Sequence, residues 1–328
     1  MSEIQSPLQI PLKHLLLLIL CLIPDSSGQD MVSYGYIGER TDISCQYPPK
    51  LASKTKDFCK VCERGLCNVI ATGPGQRFGF QDNRSDKLAT LTLRRVADGD
   101  SGVYKCGFST DGDRVDIKTI QFWELSNIGY EGGEVTFRCT YAQGFQTKAK
   151  YFYKKDTASP NTLIETKAGQ TSQVDGRVSL QDHTNAPVFT VTLQELTAQD
   201  SGKYSCGMIR GQNEPDHLSE RRLAVKSVTT VSGHLGGFLK IACPYQNEEE
   251  SRGTKRFCRG KDPVKCLQEG SVDGDRFTLN DSTSATEGVF TVTIKDLRAE
   301  DAGIYWCVEF GEAGPEFTSA VDLEVYTK

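Results

Sequence analysis

Cysteines and histidines are the residues of this 328-residue sequence best suited to chemistry, twelve of the former and four of the latter. The densest group is Cys59-Lys-Val-Cys62, with Cys67 close behind. Thiolates at such spacing can hold zinc, but a closed zinc site takes four ligands, and His183, His217 and His234 all stand far downstream. No metal and no cofactor is therefore expected. In an oxidising compartment the same thiols form disulfides instead. The amino end points to that compartment. Lys13 and His14 precede the apolar run from Leu15 to Ile23, and Pro24, Ser26, Ser27 and Gly28 follow. This reads as a signal peptide over residues 1–28, since a membrane anchor needs about 18 or more apolar residues. It carries Cys21 away and leaves eleven cysteines, an odd number that forces at least one out of intrachain pairing. Catalysis would need a nucleophile beside a base, or carboxylates sharing a cleft. His183 and His217 sit in loop-like, aspartate-flanked sequence. The glycines Gly129, Gly132 and Gly133 precede a strand rather than a helix, so they form no phosphate loop. No enzyme is expected. The net charge of −5 argues against nucleic acid as a partner.

The elements that hold the cysteines are legible from a motif repeated three times: Asp100-Ser-Gly102-Val-Tyr104-Lys-Cys106, Asp200-Ser-Gly202-Lys-Tyr204-Ser-Cys206 and Asp301-Ala-Gly303-Ile-Tyr305-Trp-Cys307. A Tyr two residues before a Cys in this setting is the tyrosine corner of an immunoglobulin sandwich, whose Cys bridges the two sheets. Each motif has an upstream cysteine on an alternating strand: Cys45, Cys139 and Cys243. The expected bridges are Cys45–Cys106, Cys139–Cys206 and Cys243–Cys307. The fold class is all-β, three tandem variable-type sandwiches, with domains over 29–124, 125–226 and 227–328. Each is about 100 residues, enough for one core apiece. Arg77, Arg177 and Arg276 precede the three motif aspartates at nearly constant spacing and should pair with Asp100, Asp200 and Asp301, as in variable-type domains. No Pro-rich or Ser-rich linker separates the repeats, and connections this short suggest a semi-rigid rod.

Phe58, Phe152 and Phe257 occupy the strand that usually buries a Trp, and the next residues are Cys59, Tyr153 and Cys258. Cys67 and Cys266 follow the two cysteines at the same offset, so Cys59–Cys67 and Cys258–Cys266 are expected to staple that strand to its neighbour in the first and third repeats. Cys62 is then left over, although its position also lets it compete with Cys59 for Cys67. The segments Lys56-Asp-Phe58-Cys59, Lys150-Tyr-Phe152-Tyr153 and Lys255-Arg-Phe257-Cys258, with their staples, resemble the Lys-Tyr-Trp-Cys motif of the polymeric immunoglobulin receptor and its relatives, the CMRF-like leukocyte receptors. Here Trp is Phe throughout, and the second repeat lacks the staple. The resemblance implies a cell-surface receptor ectodomain that binds polymeric immunoglobulin or an anionic membrane lipid headgroup.

On a sandwich with no catalytic constellation, function lies in the loops at its end. In the first repeat these are the segment from Tyr47 to Asp57, with Lys50, Lys54 and Lys56, and the segment from Phe108 to Asp116, with Asp111, Asp113 and Arg114. They are the expected ligand contacts. Asn83 and Asn280 open Asn-x-Ser sequons in matching places of repeats one and three and are expected to carry glycans. Cys62 is expected as a free thiol or as an intermolecular disulfide. No second apolar stretch follows the first, so the product is expected to be secreted or to be the outer part of a membrane receptor. A soluble decoy or adhesion module is the alternative to a receptor that signals or transports. No last strand carries the Phe-Gly-x-Gly bulge of paired antigen-receptor domains.

Overall fold

The computed structural model describes residues 31–62, 65–110, 113–155, 161–209, 217–245, 253–269, 272, 274–283, 288–311 and 314–327. The expected signal peptide and Asp111 lie outside these residues. Three β-sandwiches follow one another. In the first, a sheet of Thr41–Gln46, Leu88–Leu93 and Phe78–Asn83 packs against Met31–Tyr36, Asp113–Leu125, Gly102–Thr110, Lys56–Val61 and Cys67–Val69. In the second, Val135–Thr140, Val188–Leu193, Val178–His183 and Ser172–Asp175 face Asn161–Glu165, Lys150–Lys154, Gly202–Met208, His217–Lys226 and Asn127–Tyr130. In the third, Leu239–Tyr245, Gly288–Ile294 and Phe277–Thr283 face Val228–His234, Gly314–Tyr326, Gly303–Gly311 and Thr254–Arg259. Where the first two have an edge strand, the third has a short helix, α1 (Pro263–Glu269). In all three, the first strand pairs in parallel with the last.

Alternation builds these sheets. Ile43 and Cys45 point inward while Asp42 and Gln46 face solvent, and Val135, Phe137 and Cys139 repeat the pattern. The third repeat, irregular as a sequence, regains the period because its strand begins at Leu239, which leaves Phe238 outside and 71% exposed. Phe58, Phe152 and Phe257 are buried in the three cores, and the second and third stack on the corner tyrosines Tyr204 and Tyr305 at 5.3 and 4.9 Å. The hydroxyls of Tyr104, Tyr204 and Tyr305 donate to the carbonyl oxygens of Asp100, Asp200 and Asp301 at 2.8, 2.5 and 2.7 Å. Arg77, Arg177 and Arg276 pair with those same aspartates, the last through both guanidinium nitrogens at 2.8 and 2.9 Å. Five disulfides join Cys45–Cys106, Cys59–Cys67, Cys139–Cys206, Cys243–Cys307 and Cys258–Cys266, and Cys62 is free and exposed.

The semi-rigid rod is overturned. Tyr34, Tyr36, Trp123 and Leu125 of the first sandwich, with Ile128 and Tyr130 of the second, converge on Trp306, Val308, Phe317 and Leu267 of the third, forming a fourth hydrophobic core shared by all three. Tyr130 meets Trp306 edge to face at 5.9 Å, and the indole N–H donates to the Gly260 carbonyl oxygen at 2.9 Å, so burial leaves no orphan donor. A Cβ at Gly314 would stand 2.7 Å from the Trp123 ring. The first sandwich also docks on the second. Arg221 is fully buried there against Gly38 of the first sandwich, held in place by donating to the Arg138 carbonyl oxygen of its own sandwich at 2.5 Å, while Asp98 pairs with Arg222 and the Ser219 hydroxyl donates to the Gly38 carbonyl oxygen at 3.3 Å. Single residues, Ser126 and Ser227, join the sandwiches. A short connection limits distance but not direction; the apolar side chains on the outer faces choose the direction.

Candidate functional site

The loop cluster at the end of the first sandwich is built on a buried triad. Tyr47, two residues after Cys45, donates its hydroxyl to Asp82 at 2.6 Å, and the Lys56 ammonium lies 3.8 Å over the Tyr47 ring and 3.5 Å from Asp82. The second sandwich repeats the arrangement with Tyr141, Lys150 and Asp182, and the third with Tyr245, Lys255 and Asp281. In the third, Lys255 turns to Glu309 at 2.6 Å. Burial, and then the bond to Asp82, push the Tyr47 phenol up to about 12; burial and Asp281 do the same to Tyr245, also to about 12.

This corrects two of the expected ligand contacts. Tyr47 and Lys56 are each 3% exposed and belong to the frame of the sandwich rather than to its surface. Tyr47 continues the inward period of Ile43 and Cys45 one residue past the end of its strand, and Lys56 opens a strand in which Phe58 also points inward. Lys50, on a one-turn 3-10 segment Pro49–Leu51, and Lys54 are exposed. The Lys54 ammonium stands 5.9 Å from the Phe108 ring centroid, which brings the two loops side by side. Arg114 is ion-paired with Asp57 and, at 2.8 Å, with Asp116, which also takes Lys105 at 2.9 Å. Asp113 is exposed beside this network.

Cys62 lies at the opposite end of its strand from these loops, its sulfur 3.0 Å from the Leu66 carbonyl oxygen. Its neighbours Cys59 and Cys67 are bonded to each other, so the three cannot act together as thiolates. Asn83 donates its amide to Asp86 at 2.7 Å at a strand end, and Asn280 is exposed on the equivalent strand of the third sandwich, but the two sequons are offset by two residues rather than matched, because Asp82 precedes Asn83 while its counterpart Asp281 follows Asn280.

Trp123 and Trp306, the chain's two tryptophans, are the residues of the shared core that the motifs did not single out. Their signal was present. The residue between Tyr and Cys in the repeated motif faces outward: Lys105 lies on an open face, Ser205 is 1% exposed, and Trp306 is fully buried. A large apolar residue at that outward position announces a covering partner.

Comparison with known proteins agrees with this architecture. The immunoglobulin V-set domain model matches residues 124–226 and 226–326. The polymeric immunoglobulin receptor of Mus musculus is 25% identical over 340 residues, covering 92% of this chain and 42% of that protein; that of Oryctolagus cuniculus is 28% identical over 295 residues, covering 82% and 37%. CMRF35-like molecule 1 of Mus musculus is 35% identical over 88 residues, 26% of each chain. The chain thus spans about two fifths of the length of the polymeric immunoglobulin receptors it matches. No helix among the described residues is long and apolar enough to cross a membrane. With V-set matches over most of its length and the tyrosine corner repeated in each sandwich, the chain belongs to the immunoglobulin V-set family.

Proposed function

We propose that this chain is the extracellular ligand-binding region of an innate immune cell-surface receptor and that ligand is taken at the loops of the first sandwich, around Lys50, Lys54 and Asp113. The observation that carries the reading is the adjacency of Lys54 to Phe108, which draws the two loops together so that exposed cations and the exposed Asp113 share one surface over a largely buried aromatic ring. Arg114 contributes as the inner member of that surface, held by Asp57 and Asp116. The favoured ligand is a protein, polymeric immunoglobulin, by likeness to the relatives named for it. Coupling to signalling or transport belongs to segments outside this sequence. Asn83 and Asn280 carry glycans, and Cys62 is available for an intermolecular disulfide.

The test is a binding panel of polymeric immunoglobulin and anionic-lipid vesicles against the whole chain, repeated with Lys50→Glu, Lys54→Glu and Asp113→Lys. Exposed charges of this kind govern encounter and are screened beyond roughly 8 Å at physiological salt. Charge reversal should weaken immunoglobulin binding about tenfold or more and flatten its salt dependence. Unchanged binding by all three variants would move the site elsewhere. Binding to vesicles alone would replace the protein ligand by a lipid headgroup, and binding to neither would favour a soluble adhesion module.

A further inference from the structure

The shared core divides cleanly in two. One half comes from the first and second sandwiches through Tyr34, Tyr36, Trp123, Leu125, Ile128 and Tyr130; the other comes wholly from the third through Trp306, Val308, Phe317 and Leu267. The first two sandwiches are locked to each other by buried Arg221, by the Asp98–Arg222 pair and by Gly38, where any Cβ would overlap Arg221 and the Glu220 carbonyl oxygen. They therefore move as one unit. A single residue, Ser227, ties that unit to the third sandwich, between a strand ending at Lys226 and one beginning at Val228. The Ser227 carbonyl oxygen is held by the Ala320 N–H at 3.0 Å, so its carbonyl side already belongs to the third sandwich.

From this division we infer that the face of the third sandwich around Trp306 is an interaction surface for a second copy of this chain, and that two copies exchange their third sandwiches reciprocally. The occupant follows from the surface itself. A second copy carries the same six apolar and aromatic side chains that cover Trp306 within one chain, and the Tyr36–Asp262 contact at 3.4 Å and the Lys226–Glu316 approach at 4.0 Å come with them. When Ser227 straightens, a face bearing Trp306 and Phe317 is bared, and such a face is covered by association. Exchange of an identical element at a short hinge is a low-cost route to a dimer because every contact of the monomer is kept.

Ser227 controls the outcome. Deleting it removes a full residue of reach, about 3.3–3.8 Å. Short hinges under strain favour exchange, so with no residue left between the strands that end at Lys226 and begin at Val228, closure within one chain should give way to closure between two. The full secreted chain is measured by size-exclusion chromatography with light scattering and by tryptophan emission. The variant lacking Ser227 should run as a dimer whose emission matches that of the wild-type monomer. Wild-type protein incubated near 1 mM, about the effective concentration of a short tether, should yield the same dimer, persisting after dilution. Trp306→Ala should abolish it. A monomeric deletion variant, open or closed, overturns the inference, as does a dimer that survives Trp306→Ala. Should the deletion variant fail to fold, the concentrated wild type decides: a dimer with monomer-like emission supports exchange, and its absence refutes it.

Discussion

Lys150, the counterpart in the second sandwich of the expected contact Lys56, shows how a charged residue can be structure. Its side chain is fully buried, with its ammonium 2.9 Å from Asp182 and donating to the carbonyl oxygens of Phe145, Gln146 and Lys148. Removing one partner of such a pair strands the other charge. Lys150→Ala should cost about 3–5 kcal/mol in denaturant unfolding of the second sandwich; a loss under 1 kcal/mol would mean that Asp182 finds water or another donor. For the same reason Lys56→Glu tests folding, not ligand contact. The signal for this lay in the sequence as Cys-x-Tyr and Lys-x-Phe in every repeat, at Tyr47, Tyr141 and Tyr245 and at Lys56, Lys150 and Lys255. It was masked because a lysine before a strand normally reads as loop. The corner aspartates predict a pH response. Bonding from Arg276 lowers the Asp301 carboxyl, and at Asp200 burial is outweighed by bonds from Arg177 and Thr197. A lowered folded value means stability that is complete above the ordinary aspartate range and is lost as pH falls from that range through the lowered folded value. The unfolding midpoint should therefore drop below about pH 4, and less steeply in Asp301→Asn. A midpoint flat down to pH 2 would contradict the pairing.

Elements were legible where period and punctuation agree. The inward alternation of Ile43 and Cys45 and the three corner motifs suffice for sheets and inter-sheet bridges. The equal offsets of Cys59–Cys67 and Cys258–Cys266 suffice for the staples, but not for what they staple: the first closes on a strand and the second on helix α1. Pro263 at the first helical position, with the Asp262 carboxylate accepting from the Val264 N–H at 2.9 Å, is the local difference that selects the helix. Turns can be separated in the same way. Gly38 and Gly99 both have positive φ, 85° and 84°, yet only Gly38 is enclosed. Gly99→Ala should cost about 1–2 kcal/mol from backbone conformation alone. Gly38→Ala adds an overpacking cost of about 1–3 kcal/mol and should loosen the first sandwich from the second. Equal unfolding midpoints for the two variants would show that the Gly38 contact is not tight.

At the scale of the molecule, reading by repeats stops at the boundary of each repeat. Three cores can be counted from three motifs, but the fourth is assembled from outward-facing residues that no single repeat needs: Tyr34, Trp123, Tyr130 and Trp306. Closure also bears on function. Of the three motif positions that face outward, Ser205 and Trp306 are covered within the chain, while Lys105 stays accessible beside Arg114 and Asp116. The first sandwich therefore leaves the Lys105 part of this sheet face open beside its loops, while Tyr34 and Trp123 on the same sheet are covered by the third sandwich. Small-angle X-ray scattering of the monomeric chain tests the closure most directly. A closed, three-lobed molecule should give a radius of gyration near the roughly 20 Å expected for a compact chain of this length. A clearly larger value, with the pair-distance profile of three sandwiches end to end, would contradict the shared core and restore the rod.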